Sequence, residues 1–399
     1  MKITIHRGQN KIGGSIIEIA TNNTRIILDA GAELDEEVPS VPEIEGLFKG
    51  EASFDAVFIS HYHGDHLGLA DRILPGIPVY IGKDASKITN ASRRYLDKEE
   101  YDFSAYYEAG KTVTVGDFNI TPYLCDHSAF DSYMFHISSG DKSLIYSGDF
   151  RSNGRKSFKG LLKKLPPADA LIIEGTTLSR AFSKPDTEEE LENKAIAEIM
   201  NTDVPVFILQ SATNIDRIVT AFKVARKCKR ILLQDLYMAE IASAAGEKIP
   251  NPATFKGVRV FITSGGKGRH ELLDSKYPKA KIGRAGIAKQ KFVMCIRPSM
   301  MSYLEKLSEE ISFSGGILFY SMWNGYKEKE DVAKFLEFMK EKGVKVVDLH
   351  TSGHADEETI TELINDVKPK FIIPVHTENA VRFEELGDFK VIHDKEFFL

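Results

Sequence analysis

Between residues 2 and 174 the apolar positions fall in short runs of strand length, broken by Gly, Asn and Asp. Runs 2–6, 15–20, 24–28, 55–60, 78–82, 112–114, 118–125, 132–137, 143–149 and 170–174 read as strands. One polar stretch, 85–100, reads as a helix and leads into an aromatic segment, 101–107. The pattern then changes. Thr187 and Glu190 form a capping box, and 187–200 has helical period. Strands 204–210, 230–234, 258–263, 291–296 and 317–321 alternate from there with helices 214–226, 300–310 and 329–342. Such alternation predicts a mostly parallel sheet, hence a second α/β domain over 188–342. Strand 344–350, helix 356–367, strand 370–375, helix 378–386 and strand 390–393 follow. The second domain is therefore expected as an insertion, with the first domain made of 1–187 and 343–399. No internal repeat or low-complexity tract interrupts this order.

Polar residues collect where the apolar runs end. Residues 59–68 read I-S-H-Y-H-G-D-H-L-G, so His61, His63, Asp65 and His66 lie within six positions. Alternate side chains on an extended strand end point the same way, so His61 and His63 can share one ion. Asp65 and His66, past the turn at Gly64, can reach a second. Imidazole and carboxylate at this density suit zinc. His127, Asp149 and Glu174 also stand at the ends of apolar runs, and His354 and His376 occupy loops after strands. Buried without a cation, such a set would be costly. The plain alternative is a scatter of polar loop residues. Asp29, in Leu28-Asp29-Ala30-Gly31, is either an orienting partner for a ligating histidine or a turn-former. His6, His136, His270, His350 and His393 carry no motif and read as structural or exposed.

Composition narrows the class. With 399 residues, 42% hydrophobic and 28% charged, this is the make-up of a two-domain globular chain. No apolar run approaches a membrane span, and no membrane partner is expected. Cys125, Cys228 and Cys295 are odd in number and far apart, which argues against a disulfide framework and for a reduced, cytoplasmic setting. The net charge is −6, yet the insertion is locally basic. Between residues 256 and 297, Lys256, Arg259, Lys267, Arg269, Lys276, Lys279, Lys281, Arg284, Lys289, Lys291 and Arg297 face only Glu271 and Asp274. Lys223, Arg226, Lys227, Lys229 and Arg230 form a second run. Both fit a phosphate-tracking face, or else a solvated one. Gly265-Gly266-Lys267-Gly268 is a weak phosphate-loop signal, and Tyr320, Trp323 and Tyr326 read either as base-stacking or as core residues.

The run from His61 to His66 resembles the H-x-H-x-D-H signature of the metallo-β-lactamase superfamily. Ser352-Gly353-His354-Ala355, Pro374-Val375-His376-Thr377-Glu378, Glu174 in Ile-Ile-Glu-Gly-Thr, Gly148-Asp149-Phe150, His127-Ser128 and 210–217 are similar to motifs of its β-CASP nucleases, which include ribonuclease J. The resemblance spans 29–378 and implies an αββα sandwich with an inserted α/β β-CASP domain. Relative to ribonuclease J, no C-terminal region of that kind is expected after Leu399, and no archaeal-type RNA-binding domain before Met1.

What the resemblance implies is a two-zinc ribonuclease, with manganese or magnesium left open, cutting RNA internally, from a 5′ end, or both. His61, His63 and His127 would hold one ion; Asp65, His66 and His376 the other; Asp149 would bridge. Glu174 and His354 would be an acid–imidazole pair facing the scissile phosphate, so that His354, Glu174, Asp65 and Asp149 make up the catalytic set. RNA is the expected partner, and a homodimer is among the expected assemblies. Competing readings are a hydrolase of a small ester, lactone or cyclic phosphodiester, separable by a substrate panel, and a non-catalytic RNA-binding homologue, separable by metal analysis.

Overall fold

A computed structural model describes residues 1–34, 38–180, 184–263 and 268–399. The chain divides into two compact units: one of Met1–Asn90, Glu99–Lys184 and Gly353–Leu399, the other of Ala91–Lys98 and Pro185–Ser352.

The first unit holds two seven-stranded sheets. One runs in the order Glu396–Phe398, Lys2–Arg7, Ile16–Ala20, Arg25–Leu28, Ala56–Phe58, Val79–Gly82 and Ala105–Tyr107. The other runs Lys390–Val391, Phe371–Val375, Ala170–Glu174, Lys142–Tyr146, Ser132–Ser139, Phe118–Cys125 and Val113–Val115. Their inner faces share one apolar core, in which Ile3, Ile5, Leu28 and Phe58 of the first sheet meet Phe135, Tyr146 and Ile172 of the second. Alternation in the strands builds this layer, since every second side chain turns inward. The outer face of the second sheet is covered by helices Phe158–Leu162 and Glu357–Val367, through Leu161, Ile360, Leu363 and Val367. This is the sandwich expected from the sequence, and the polar strand ends 59–66, 126–127, 148–150 and 174–176 come together within it.

The second unit is built on a six-stranded sheet in the order Val258–Phe261, Ile231–Asp235, Phe292–Ile296, Val206–Leu209, Ile317–Tyr320 and Lys345–Asp348. All its pairings are parallel. Helices Met301–Ser308 and Glu330–Glu341 supply Leu304, Phe335 and Met339 to its core.

Several boundaries differ from the sequence reading. The strand expected at 344–350 forms as Lys345–Asp348 but pairs with Ile317–Tyr320, so it belongs with the second unit, which runs to Ser352 rather than 342. The helix expected at 378–386 is a 3-10 turn, Ala380–Glu385. Helix Leu236–Ala244 and strand Glu396–Phe398 had no counterpart in the pattern. Gly265, Gly266 and Lys267 of the proposed phosphate loop lie outside the described residues.

Candidate metal centre

Ala56–Phe58 ends two residues before Ser60, and the chain turns there into the short helix Gly64–Leu67. His61 and His63 lie on the turn; Asp65 and His66 lie on the helix. The turn needs close backbone approach: a Cβ at Gly31 would sit 1.8 Å from the carbonyl oxygen of Asp65. His127, Asp149, Glu174, His354 and His376 reach the same place from elsewhere in the first unit. Three groups of candidate ligand atoms form, each with its atoms within 4.8 Å of one another: His61, His63 and His127; Asp65, His66, Asp149 and His376; and Asp149, Glu174, His354 and His376.

The hydrogen bonds around these rings fix their tautomers. The Ser60 hydroxyl donates to Asp29 Oδ2 at 2.8 Å, so His61 Nδ1, 3.0 Å from that hydroxyl, is the donor of its pair. His66 Nδ1 donates to Asp29 Oδ2 at 2.7 Å, and His127 Nδ1 to the carbonyl of Gly353. Thr176 Oγ1 donates to Glu174 Oε2 at 2.6 Å, which makes His376 Nδ1 the donor to Thr176 at 2.8 Å. With Nδ1 engaged, each of these rings turns its Nε2 to a shared interior. There His66 Nε2 lies 3.3 Å, His61 Nε2 3.7 Å and His127 Nε2 3.9 Å from Asp149 Oδ2, and His376 Nε2 lies 3.1 Å from Asp65 Oδ2. Acceptors facing acceptors repel unless a cation stands between them. Among the described residues, His61 Nε2, His66 Nε2 and both Asp149 carboxylate oxygens are buried with no hydrogen-bond partner. Such groups are tolerated in a protein interior when they coordinate a metal. The donor set, nitrogen and oxygen without thiolate, fits a divalent cation.

Proton affinities follow the same field. Burial, reinforced by neighbouring imidazoles, pushes His61 and His127 well below the usual imidazole range, and burial brings His63 down to about 4. These rings are neutral, the state in which an imidazole can bind a cation. Burial opposes charge on His66 too, but Asp149 and Asp29 outweigh it and raise its proton affinity. Burial also opposes charge on Asp65 and Asp149, where imidazoles outweigh it and hold both carboxyls low.

Glu174 and His354 form a pair beside this centre. Glu174 is fully buried; its Oε1 accepts the Phe150 N–H at 2.9 Å. His354 Nδ1 lies 3.0 Å from Glu174 Oε2 and 3.6 Å from Asp149 Oδ2. Burial would lower the His354 pKa, but Glu174 and then Asp149 outweigh it and raise it to about 9. Hydroxyls brace the other rings: Ser60 meets His61, Thr176 meets His376, and Tyr146 donates to Asp29 Oδ2 at 2.6 Å, the carboxylate that holds His66. None of the three stood out in the sequence, although Thr176 lies inside the Glu-Gly-Thr motif.

The basic runs of the insertion are partly neutralised in place. Lys276 pairs with Glu240, Lys281 with Asp274, Lys291 with Asp203, Arg297 with Asp235 and Lys223 with Glu192. Arg230 is buried and donates to the carbonyls of Thr202 and Val204. Of the three aromatics, Tyr320 is core and Trp323 is 48% exposed. No helix among the described residues is long and apolar enough to cross a membrane.

Fold and centre together define a metallo-hydrolase architecture. Residues 11–192 match the metallo-beta-lactamase superfamily model, and residues 341–391 match the Zn-dependent metallo-hydrolase RNA specificity domain. The chain is 22% identical over 377 residues to a ribonuclease J of Sinorhizobium meliloti, covering 89% of this chain and 64% of that one. It therefore spans less than two thirds of that relative's length. It is 25% identical over 420 residues to an RNase J-like protein of Methanocaldococcus jannaschii, covering 96% of this chain and 94% of that one. A crystal structure of a protein of unknown function from Enterococcus faecalis V583 has the same fold, with a TM-score of 0.81 at 21% identity over 100% of this chain and 99% of that one. Residues 11–192 thus match the metallo-β-lactamase superfamily, and the chain as a whole is similar to its β-CASP, ribonuclease J-like members.

Proposed function

We propose that the chain hydrolyses RNA phosphodiester bonds with two divalent ions, zinc first among the candidates. His61, His63 and His127 would hold one ion, Asp65, His66 and His376 the other, with Asp149 shared between them. Bound there, divalent ions supply Lewis acidity to the phosphoryl oxygens and lower the proton affinity of water. The carrying observation is the set of Nε2 lone pairs and carboxylate oxygens turned toward one another in a buried interior. The relatives named ribonuclease J and the RNA specificity domain support RNA as the substrate class.

The chain's own residues then account for the leaving group. His354, with a pKa of about 9, carries its proton at neutral pH. Glu174, 3.0 Å from Nδ1, fixes the ring so that Nε2 can hand a proton to the departing alkoxide. Glu174 is itself held by Phe150 N–H and Thr176.

The test is His354→Ala. It should keep its metal content and its affinity for RNA while kcat falls about 100- to 10,000-fold, the usual worth of a positioned general acid. Loss of metal from that variant would make His354 a ligand and end this assignment.

A further inference from the structure

Asp149 presents a puzzle of position. Neither of its carboxylate oxygens has a hydrogen-bond partner among the described residues, and the side chain meets the imidazoles only through charge, at 3.3 to 3.9 Å. Its placement draws on holds along the main chain that follows it. One hold is the Phe150 N–H on Glu174 Oε1. The other lies one residue further on, at Arg151.

Arg151 is 1% exposed and Asp126 2% exposed, which makes them a fully buried ion pair. Arg151 Nε donates to Asp126 Oδ2 at 3.1 Å, and the Arg151 backbone N–H donates to the Asp126 carbonyl at 2.7 Å. Asp126 Oδ1 also accepts the Lys156 backbone N–H at 3.3 Å, so the loop after Asp149 folds back onto this one carboxylate. Gly154 is required for that fold: a Cβ there would stand 1.9 Å from Asp126 Oδ2 and 2.6 Å from Arg151 Nη2. Asp126 immediately precedes His127, and Arg151 follows Asp149 by two residues. The pair therefore joins the two loops that bring His127 Nε2 and Asp149 Oδ2 to 3.9 Å.

A buried ion pair is a poor source of stability, because desolvation offsets most of the attraction. Its presence here, directly between two candidate ligand loops, calls for another reason. We infer that Asp126 and Arg151 are positioning residues, a buried strut that sets the spacing of His127 and Asp149 and thereby the affinity of the centre for its divalent ion. This rests on the metal-centre reading above.

The experiment uses the full chain. Arg151→Met keeps length and removes charge, while Arg151→Lys keeps charge and loses the planar fork. Folding is followed by circular dichroism, Zn(II) and Co(II) affinity by competition with a chromogenic chelator, and turnover of single-stranded RNA as separate kcat and KM. Arg151→Met should bind divalent ion about 10- to 100-fold more weakly, the usual effect of removing a group that orients ligands. Its Co(II) spectrum should change, and kcat should fall with KM within about twofold of the parent. Arg151→Lys should recover part of the affinity. If Arg151→Met unfolds, the double variant Asp126→Asn/Arg151→Met, which leaves neither charge of the pair stranded, takes its place with the same expectation. A folded variant of either kind with parental metal affinity and spectrum overturns the strut. A parent chain that binds no divalent ion in the same titration fails differently: it removes the metal centre itself.

Discussion

Asp29 shows how a single residue can hold two readings that the sequence offers as alternatives. Its φ of 61° makes it the turn-former. Its fully buried carboxylate also accepts from Ser60 N–H, the Ser60 hydroxyl, the Tyr146 hydroxyl and His66 Nδ1, which makes it the orienting partner. The acids and imidazoles at strand ends were legible because charge there needs an explanation. The hydroxyls of Ser60, Tyr146 and Thr176 were not, since a hydroxyl has no spacing signature and its partners lie far off in the chain. Glu18 illustrates the pH side of such contacts. Burial would raise its carboxyl, but hydrogen bonds from His6 and Arg25, at 2.9 and 2.8 Å, outweigh it and hold the pKa at about 2, against 4.5 unperturbed. A depressed carboxyl stabilises the fold fully above the unfolded value and loses that contribution as pH falls toward the folded one. Glu18→Gln should therefore cost about 2 kcal/mol at pH 7, in the range of charge-assisted hydrogen bonds. The gap between variant and parent should close between pH 4.5 and about 2. Denaturant unfolding at pH 7 and pH 3 measures it; an equal gap at both would rule out the linkage.

Helix Glu188–Ile199 begins where the capping box said it would. Thr187 Oγ1 accepts the Glu190 N–H at 3.1 Å, and Glu190 Oε2 accepts the Thr187 N–H at 2.7 Å. Thr187→Ala should destabilise the second unit by about 1 kcal/mol, as loss of an N-cap does. The chain's one tryptophan, Trp323, lies in the same unit, so urea unfolding followed by its fluorescence gives the reading. An unchanged midpoint would mean that tertiary packing alone sets this helix start. Helix Leu236–Ala244 was invisible for the opposite reason. Leu236, Met238, Ala239, Ile241 and Ala242 are all buried, and its outward side offers only one charge, Glu240, among Tyr237, Ser243 and Ala244, too little polarity to mark a period. Lys345–Asp348 was visible as a strand, but an exposed edge strand carries no mark of which sheet it joins.

Across the whole molecule the sandwich was readable from alternation and the insertion from the change of period, while the boundary at Ser352 depended on strand pairing. The candidate ligands all belong to the first unit, which sets an expectation for metal removal. At a metal concentration about a thousandfold above Kd, binding stabilises a folded state by about 4 kcal/mol. Dialysis against a chelator should lower the unfolding midpoint seen by circular dichroism for the first unit and leave the Trp323 transition in place. A Trp323 transition that falls by the same amount would show that the units unfold as one. One more consequence follows from His376, which closes on Asp65 across 311 positions of chain. During translation the ribosome releases His61, His63, Asp65 and His66 early and His376 far later. A nascent polypeptide still tethered to its message therefore carries an unfinished centre until the segment with His376 has emerged. Competence would have to wait for that segment, however early the first four candidates are made.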